Sequence, residues 1–253
     1  MTPRFTDRIA YVTGAASGIG RATAQAFAAA GAKVFAVDVN EAGLAETRAA
    51  IKQAGGNAAS SVCDVASMES VRVSIDDAVR AFGGVDTLIN AAGVGRALRL
   101  EEIDEAEWQR VIGVNLNGAF HTTKSALPHL LAHPRPVIVN VASTAAMRGQ
   151  AYASHYAASK AALLNFTRSI ALEFATRGMR ANCVCPGSVR TAIIQHFIPR
   201  DDFEPQLINY IRTPVPRQLF EPEQVAQVIA FLASDEAGMI NGVALLADGG
   251  TLA

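Results

Sequence analysis

The sequence lacks the features that would direct a chain into a membrane, through a secretion pathway or onto nucleic acid. No uncharged apolar run reaches the roughly 20 residues that a helix needs to span a bilayer. The opening residues, MTPRFTD, show no apolar run behind Arg4, so we expect no signal peptide. The formal net charge is −1, and without a basic block there is no electrostatic basis for nucleic-acid binding. We expect a cytoplasmic protein with neither of these partners.

Cysteine is scarce, and its pattern does not suit a metal. The three cysteines form no CxxC pair and have no histidine near them, so we predict no metal site. Cys183 and Cys185 have the spacing of neighbours on one face of a strand, and buried reduced thiols suit a cytoplasmic protein. Charged residues are also few, at 18% against 50% hydrophobic. This composition fits one compact domain over residues 1–253.

Apolar runs of strand length alternate with helix-period segments along the whole chain. The runs are nearly continuously apolar, as strands buried on both faces of a parallel sheet are. This alternation predicts an α/β fold, a doubly wound (Rossmann-type) parallel sheet of about seven strands with helices on both faces. The predicted strands are Ile9–Thr13, Lys33–Val37, Ala58–Cys63, Thr87–Ala91, Val137–Val141, Ala181–Cys185 and Val243–Ala247.

A glycine-rich stretch, TGAASGIG, joins the first predicted strand to the first helix. Gly14 allows a tight turn, Gly18 lets the backbone approach a pyrophosphate, and Gly20 lets the helix pack closely. The helix N-terminus then offers unpaired N–H groups and a partial positive charge to the phosphates. The GxxxGxG spacing differs from the GxGxxG dinucleotide pattern, and a turn without a ligand is the alternative. The candidate cofactor-binding residues of this loop are Gly14, Ser17, Gly18, Ile19 and Gly20.

Asp38 follows the second predicted strand. A carboxylate there can accept hydrogen bonds from the hydroxyls of an adenosine ribose. It also disfavours a 2′-phosphate, because two like charges about 4 Å apart repel by roughly 4 kcal/mol at an effective dielectric constant near 20. No cation in the glycine loop offsets this repulsion. We therefore predict NAD rather than NADP as the cofactor, with a turn-forming aspartate as the alternative.

Tyr156 and Lys160 are four residues apart in the stretch SHYAASKAA, so a helix places both side chains on one face. An ammonium about 4 Å from the phenol could stabilise the phenolate by up to ~4 kcal/mol, or about three pKa units. A phenol with its pKa lowered in this way can exchange a proton with an alcohol or a ketone. Ser143 follows the predicted strand Val137–Val141, where its hydroxyl could hold the substrate oxygen.

These motifs, taken in their order, resemble the short-chain dehydrogenases/reductases over essentially the whole chain. The matching stretches are TGAASGIG, Cys63-Asp64-Val65, Asn90-Ala91-Ala92-Gly93, Asn115 in VNLNGAF, Ser143, the Tyr156–Lys160 pair, Cys185-Pro186-Gly187 and Asp248-Gly249-Gly250. The resemblance implies Tyr156 as the catalytic acid/base, Lys160 as its pKa tuner and a ligand of the nicotinamide ribose, and Ser143 as the anchor of the substrate oxygen. It implies Asn115 as a fourth member that holds a water in a proton relay.

The resemblance also assigns further cofactor contacts. It implies Asp64 and Val65 at the adenine, Asn90, Ala91 and Gly93 beneath the cofactor, and Pro186, Gly187, Val189 and Thr191 around the nicotinamide. Two positions depart from the family pattern. Ala91 stands where the family often has a second asparagine, and Ser17 stands where acyl-carrier-protein ketoreductases place a basic residue.

We expect an NAD-dependent oxidoreductase that interconverts a secondary alcohol and a ketone, a small-molecule substrate. The alternatives are a 3-oxoacyl-thioester reductase of the same family, a cofactor-binding scaffold without turnover, and a methyltransferase. Arg96, Arg99 and Arg148 could face an anionic substrate, although a solvated surface is the simpler interpretation.

Two further expectations concern the lid and the assembly. Residues 188–220, which carry Pro199, Pro205, Pro214 and Pro216, are expected to form a substrate lid. Family resemblance implies a homo-oligomer, a tetramer or possibly a dimer.

Overall fold

The computed structural model describes residues 4–210 and 219–253. Seven strands in these ranges form one parallel sheet in the order β3-β2-β1-β4-β5-β6-β7, which confirms the predicted fold class. Residues 211–218 of the expected lid, with Pro214 and Pro216, lie outside the described residues. The strands are β1 Ile9–Thr13, β2 Lys33–Asp38, β3 Asn57–Val62, β4 Thr87–Asn90, β5 Val137–Val141, β6 Arg180–Pro186 and β7 Ala244–Ala247.

The observed strands differ from the predicted ones by about one residue at their ends. Strand β2 includes Asp38, whereas β4 stops at Asn90 and leaves Ala91 outside the sheet. Ala91 leaves the sheet because its N–H, like that of Ala92, donates to the Thr13 hydroxyl at 3.0 Å. The side chain that ends β1 therefore also ends β4.

Helices cover both faces of the sheet. Helices α1, α2 and α8 share one apolar core with the sheet, and α3, α5 and α6 share a second core on the opposite face. This layering is the one that a buried parallel sheet requires. The helices within the described ranges are α1 Gly18–Ala29, α2 Glu41–Gln53, α3 Met68–Phe82, α4 Glu105–Ile112, α5 Gly118–Ala132, α6 Ser154–Glu173, α7 Pro205–Tyr210 and α8 Pro222–Ala233.

A row of buried polar side chains crosses the centre of the sheet. The Asn90 amide donates to Asn140 Oδ1 at 2.8 Å, and Asn140 Nδ2 donates to the Thr167 hydroxyl at 2.7 Å. Thr122 donates to Asn90 Oδ1 at 2.7 Å, so α5, β4, β5 and α6 are joined in one chain of bonds. Polar groups buried this deeply are costly unless paired, and their pairing fixes the alignment of these four elements.

The described parts of the chain meet neither the requirements of a membrane-spanning helix nor those of a metal site. None of the helices within residues 4–210 and 219–253 is long and apolar enough to cross a membrane. Over the same ranges, no cluster of three histidine, cysteine or acidic side chains is placed to hold a metal ion.

Candidate active site

The order of the strands reverses between β1 and β4, so a crevice opens at their carboxyl ends, where such sheets bind ligands. The glycine loop lies on this crevice. Gly14 has φ +67°, and a Cβ there would lie 2.9 Å from Ala92 Cα. A Cβ on Gly20 would lie 2.1 Å from the Gly14 carbonyl oxygen, so α1 can start this close to the loop only with glycine. The Ser17 side chain makes no capping bond to α1.

Asp38 is joined to the glycine loop through its carboxylate. Oδ2 accepts a hydrogen bond from the Ala16 N–H at 3.2 Å, and Oδ1 accepts one from the Asn40 N–H at 3.0 Å. The bond from Asn40 to Oδ1 is the one that a turn-forming aspartate makes, which was the alternative interpretation of Asp38. The two interpretations are compatible, because each carboxylate oxygen can accept a further bond. Asp38 therefore orders the loop and still presents acceptors at the edge of the crevice.

The Tyr156–Lys160 pair lies in the first two turns of α6, as the spacing predicts. Lys160 is 4% exposed, and its ammonium donates to the Val141 carbonyl oxygen at 2.9 Å. The nitrogen lies 5.7 Å from the centroid of the Tyr156 ring. This bond joins α6 to the carboxyl end of β5.

Ser143 lies directly beyond β5 and begins a short 3₁₀ turn over Thr144–Ala146. Its hydroxyl accepts a hydrogen bond from the Ala145 N–H at 3.1 Å. A hydrogen bond between the Ser143 and Tyr156 hydroxyls lowers the pKa of the phenol. The structure therefore brings Ser143, Tyr156 and Lys160 together, as their order in the sequence leads one to expect.

The pKa of Tyr156 differs in direction from the sequence-based expectation. Withdrawal from solvent raises this pKa above its usual value near 10 and outweighs the bond from Ser143. Lys160 does not reverse the effect, because its ammonium is directed at Val141. The expected lowering is thus wrong for the polypeptide by itself, in which Tyr156 is a protonated acid at neutral pH.

Burial acts on Lys160 in the opposite sense. It lowers the pKa of the ammonium to about 8, because the charged form is costly away from water. At pH 7 the side chain is still mostly protonated. A modest rise in pH is therefore enough to remove the positive charge from the site.

Asn115 lies in a π-helical turn, Gly113–Asn117, between α4 and α5. Its Oδ1 accepts from the Val94 N–H at 2.8 Å, and its Nδ2 donates to the Val94 carbonyl and the Ser159 hydroxyl at 2.9 Å. An added Cβ on Gly93 would lie 3.3 Å from Lys160 Nζ and 3.4 Å from Asn115 Oδ1. Asn115 thus lies beside Lys160, while its role in a proton relay remains a prediction. Nothing in the sequence signals the π-helical turn, which is a common feature of functional sites.

The residues assigned to the adenine and the cofactor floor line the β3 and β4 ends of the crevice. Asp64 is exposed, and its Oδ1 accepts from the Ala66 N–H at 2.9 Å. Val65 is 7% exposed. The Asn90 side chain instead belongs to the buried polar row, so it has a structural role that the sequence did not indicate.

The residues assigned to the nicotinamide side follow β6. Gly187 packs against Asp248, with 3.1 Å between an added Cβ and Asp248 Cα. Thr191 lies against the glycine loop, since a Cβ on Gly18 would meet its Cγ2 at 2.9 Å. A cavity of about 410 Å³ opens beside Gly18 and Thr191. Pro186 ends β6, and Val189 is buried one turn beyond it.

Two further residues pack on the Tyr156 ring: Phe197, which belongs to the segment expected to form the lid, and Gly95, which sequence reasoning missed. The Phe197 ring meets the Tyr156 ring edge to face at 5.1 Å between centroids. Gly95 lies against both rings, because an added Cβ would be 2.6 Å from Tyr156 Cδ2 and 2.9 Å from Phe197 Cζ. A single glycine in a loop carries no pattern, so only the folded structure identifies Gly95 as part of the site.

Two of the three arginines considered for an anionic substrate are paired with carboxylates. Arg96 Nε lies 3.2 Å from a carboxylate oxygen of Glu107. Arg99 pairs with Asp202 and Glu204 at 3.5 and 3.8 Å. Arg148 is half-buried. The first two guanidinium groups therefore do not present an unpaired charge to the crevice.

Tyr152 joins two segments at the mouth of the site. Its ring stacks on Phe203 at 3.9 Å between centroids, and its hydroxyl accepts from the Glu204 N–H at 3.0 Å. The Arg99 guanidinium lies 5.5 Å from the same ring. Tyr152 also has φ +60°, a strained conformation for a bulky residue. We call Arg99, Tyr152 and Phe203 the mouth cluster.

Comparison with known proteins places the chain among oxidoreductases. A family model described as Enoyl-(Acyl carrier protein) reductase matches residues 14–251. The chain is 41% identical over 251 residues to a cis-4-hydroxycyclohexanecarboxylate dehydrogenase of Sinomonas cyclohexanicum, covering 99% of this chain and 98% of that protein.

Solved structures show the same fold with nicotinamide cofactors. A carveol dehydrogenase from Mycobacterium avium in complex with NAD matches with a TM-score of 0.92 and 29% identity, over 99% of each chain. A 3-ketoacyl-(acyl-carrier-protein) reductase from Brucella melitensis complexed with NADH matches with a TM-score of 0.88 and 32% identity, over 98% of this chain and 99% of that one.

The buried ammonium yields a pH-dependent prediction for Lys160→Met. A pKa lowered from its usual 10.5 to about 8 corresponds to a stability cost of about 3 kcal/mol. The cost is fully present below about pH 8 and disappears as the pH rises past the unfolded value. After the loss of the Val141 bond, we expect the variant to be about 1–2 kcal/mol more stable at pH 7. Urea unfolding should show this gain shrinking at pH 9.5.

The exposed Lys52 provides the control for that measurement. Lys52→Met should leave the unfolding free energy nearly unchanged at both pH values. A Lys160→Met variant that is less stable than the parent at pH 7 would contradict the cost assigned to the buried charge.

Proposed function

The chain belongs to the short-chain dehydrogenase/reductase family, and we propose that it interconverts a secondary alcohol and a ketone with NAD(H), using Tyr156 as the acid/base. It is an oxidoreductase that acts on CH–OH groups. The observation that carries the proposal is the arrangement of three side chains. The Tyr156 phenol bonds to the Ser143 hydroxyl, and the buried Lys160 lies one helical turn further along α6. A general acid and its supporting cation thus meet at the crevice.

The glycine loop and Asp38 are the residues that fit a dinucleotide. The backbone at Gly14 and Gly20 is too close to its neighbours for any side chain, as a loop that receives phosphates should be. The Asp38 carboxylate would accept from ribose hydroxyls and repel a 2′-phosphate. A bound nicotinamide supplies the carbon that accepts or donates hydride. Lys160 would hold the neighbouring ribose, while its ammonium also donates to the Val141 carbonyl.

The proton is moved by the chain itself. In ketone reduction, Tyr156 starts protonated and donates its proton to the substrate oxygen, the state that its raised pKa favours. Ser143 can hold the same oxygen, since its hydroxyl already lies within hydrogen-bonding reach of the phenol. In alcohol oxidation, Tyr156 must first become a phenolate. The Ser143 bond favours that form, and the further stabilisation that burial makes necessary would come from the bound cofactor.

The alternative within the family is reduction of a 3-oxoacyl thioester. The similarity to the Brucella melitensis reductase complexed with NADH supports it, and for this reason preference for NAD does not separate the two functions. The engagement of Arg96 and Arg99 with carboxylates favours the alcohol instead, because an anionic acyl carrier would need unpaired cations. A scaffold without turnover is disfavoured, since Asn115, Ser143 and the Tyr156–Lys160 pair all remain.

Tyr156→Phe tests the proposed function directly. The change removes only the hydroxyl, so we expect NAD still to raise the Tm while turnover of secondary alcohols falls at least 100-fold. Turnover is followed by absorbance at 340 nm over alcohols of graded size and charge.

Two comparisons accompany that experiment. NADP should raise the Tm of the parent less than NAD does, because of Asp38. Acyl thioesters assayed in the same way should be poorer substrates than cyclic or open-chain secondary alcohols. Parental turnover by Tyr156→Phe would overturn the proposal.

Residues 188–220 are proposed as a substrate lid, of which the structure describes residues 188–210 and 219–220. Phe197 covers the Tyr156 ring, and the His196 carbonyl accepts from the Ala97 N–H at 2.8 Å. Within the mouth cluster, the Phe203 ring stacks on the Tyr152 ring. Substrate must pass between these contacts to reach the phenol.

Phe203→Ala should loosen this lid without changing the chemistry. We expect faster amide hydrogen exchange over residues 192–204 and a several-fold higher KM for the alcohol, with kcat little changed. Equal exchange and equal KM in parent and variant would count against the lid.

A homo-oligomer, a tetramer or a dimer, is also proposed. The outer face of α5 and α6 carries apolar side chains, since Phe120 is 42% exposed and packs edge to face on Phe166. An exposed phenylalanine beside a half-buried one suits an interface. Light scattering should give a mass above one 26.5 kDa chain, and Phe120→Glu should lower it. A monomer at micromolar concentration would remove this proposal.

A further inference from the structure

Glu107 is a carboxylate buried on α4, close to the start of the helix. Its side chain is 5% exposed, and the Asp104 side chain caps the helix by accepting from the Glu107 N–H. The carboxylate accepts from Arg110 on the same helix at 2.8 and 2.9 Å. This bond lowers the pKa of Glu107, so the group is ionised at neutral pH. A charge withdrawn this far from water requires such a partner.

One oxygen of this carboxylate also reaches two other parts of the chain. Glu107 Oε1 lies 3.2 Å from Arg96 Nε, in the loop after β4. The same atom lies 3.4 Å from His155 Nε2, in the first turn of α6. Arg110 by itself already pairs with the Glu107 carboxylate. The contacts with Arg96 and His155 therefore connect α4 to the loop after β4 and to the first turn of α6.

Both segments lead directly to the catalytic phenol. Arg96 follows Gly95, whose backbone lies so close to the Tyr156 ring that it has no room for a Cβ. His155 immediately precedes Tyr156. Besides Arg110, two groups approach Glu107 Oε1, namely Arg96 and His155. Each is the chain neighbour of a residue at the contact between Gly95 and the Tyr156 ring.

His155 is buried beside Glu107 with its ring nitrogens unsatisfied in the described parts of the chain. Its side chain is fully buried, and neither ring nitrogen has a hydrogen-bond partner among the described residues. Burial lowers the pKa of the imidazole, while Glu107 opposes this effect and the Arg110 and Arg96 charges reinforce it. At the start of α6, the buried ring therefore has its Nε2 3.4 Å from Glu107 Oε1.

We infer that Glu107 is a positioning residue: by holding Arg96 and His155 at one oxygen, it fixes the two backbone segments between which the Tyr156 ring is packed. The inference rests on the proposed role of Tyr156. A shift of the phenol by a fraction of an ångström would weaken proton transfer, since a displacement of about 1 Å can cost 100-fold in rate. Cofactor binding at the glycine loop should not depend on it.

Glu107→Gln keeps the size of the side chain and removes its charge. We expect kcat to fall about tenfold, with KM for the cofactor and the rise in Tm caused by NAD both unchanged. The solvent deuterium isotope effect on kcat should increase, because a misplaced phenol makes proton transfer more nearly rate-limiting. A purely structural role would lower Tm without moving this isotope effect.

Glu105→Gln is the matched control, because Glu105 is an exposed residue on the same helix. Arg96→Met and His155→Asn each remove one of the two contacts and leave the Glu107–Arg110 bond intact, so they remain informative if Glu107→Gln fails to fold. Arg96→Lys should restore part of the loss caused by Arg96→Met. The double variant Glu107→Gln/Arg96→Met should lose less than the product of the single losses, because both changes break one connection.

The outcomes separate this inference from the proposed function. If Glu107→Gln, Arg96→Met and His155→Asn all match Glu105→Gln in kcat and isotope effect while Tyr156→Phe is inactive, the positioning role is overturned and the function stands. If Tyr156→Phe retains the parental rate, the function itself fails, and the inference fails with it.

Discussion

A positive charge held away from water is the constraint on which the site depends. The Lys160 ammonium is nearly inaccessible to solvent and is held by the Val141 carbonyl at 2.9 Å. Because such a charge destabilises the fold, its position is tolerated only with a partner. The end of β5 must therefore present a carbonyl to the second turn of α6. That requirement places Tyr156 and Ser143 side by side at the crevice, since they belong to the same two elements.

The buried polar row fixes how β5 and α6 lie relative to each other, and so keeps the Val141 carbonyl beside Lys160. Asn90 and Asn140 pair across β4 and β5, and Thr122 and Thr167 extend the row to α5 and α6. A slip of any of these elements would leave a buried amide without its partner, which costs more than an apolar mismatch of similar size. The central strands and the catalytic helix are thus fixed relative to one another before any ligand binds. The positions of Ser143, Tyr156 and Lys160 are well defined because the elements that carry them have few other ways to pack.

The sequence predicted the features that depend on local pattern. Strand limits were correct to about one residue, because continuous apolar runs mark buried parallel strands. The four-residue spacing of Tyr156 and Lys160 predicted their shared face, because helix geometry alone decides it.

The features that could not be predicted depend on contacts between distant segments. Gly95 and Phe197 meet the Tyr156 ring from two separate loops. The Asn115 π-helical turn has no sequence signal, and Glu107 is one acidic residue among several on α4. The pKa of Tyr156 belongs to the same class, since helix spacing indicates a nearby charge but not the degree of burial.

The two pKa shifts together indicate which proton the chain releases first. Burial raises the pKa of Tyr156 above its usual value near 10 and lowers that of Lys160 to about 8. As the pH rises, the ammonium of the polypeptide alone therefore loses its proton before the phenol does, so the pair does not reach an ammonium–phenolate state through its own charges. In the role proposed for it, Tyr156 is thus in the protonated form that the reduction of a ketone needs. To accept a proton from an alcohol in that role, Tyr156 would need stabilisation from outside the chain, and the proposed mechanism therefore ties its deprotonation to cofactor binding.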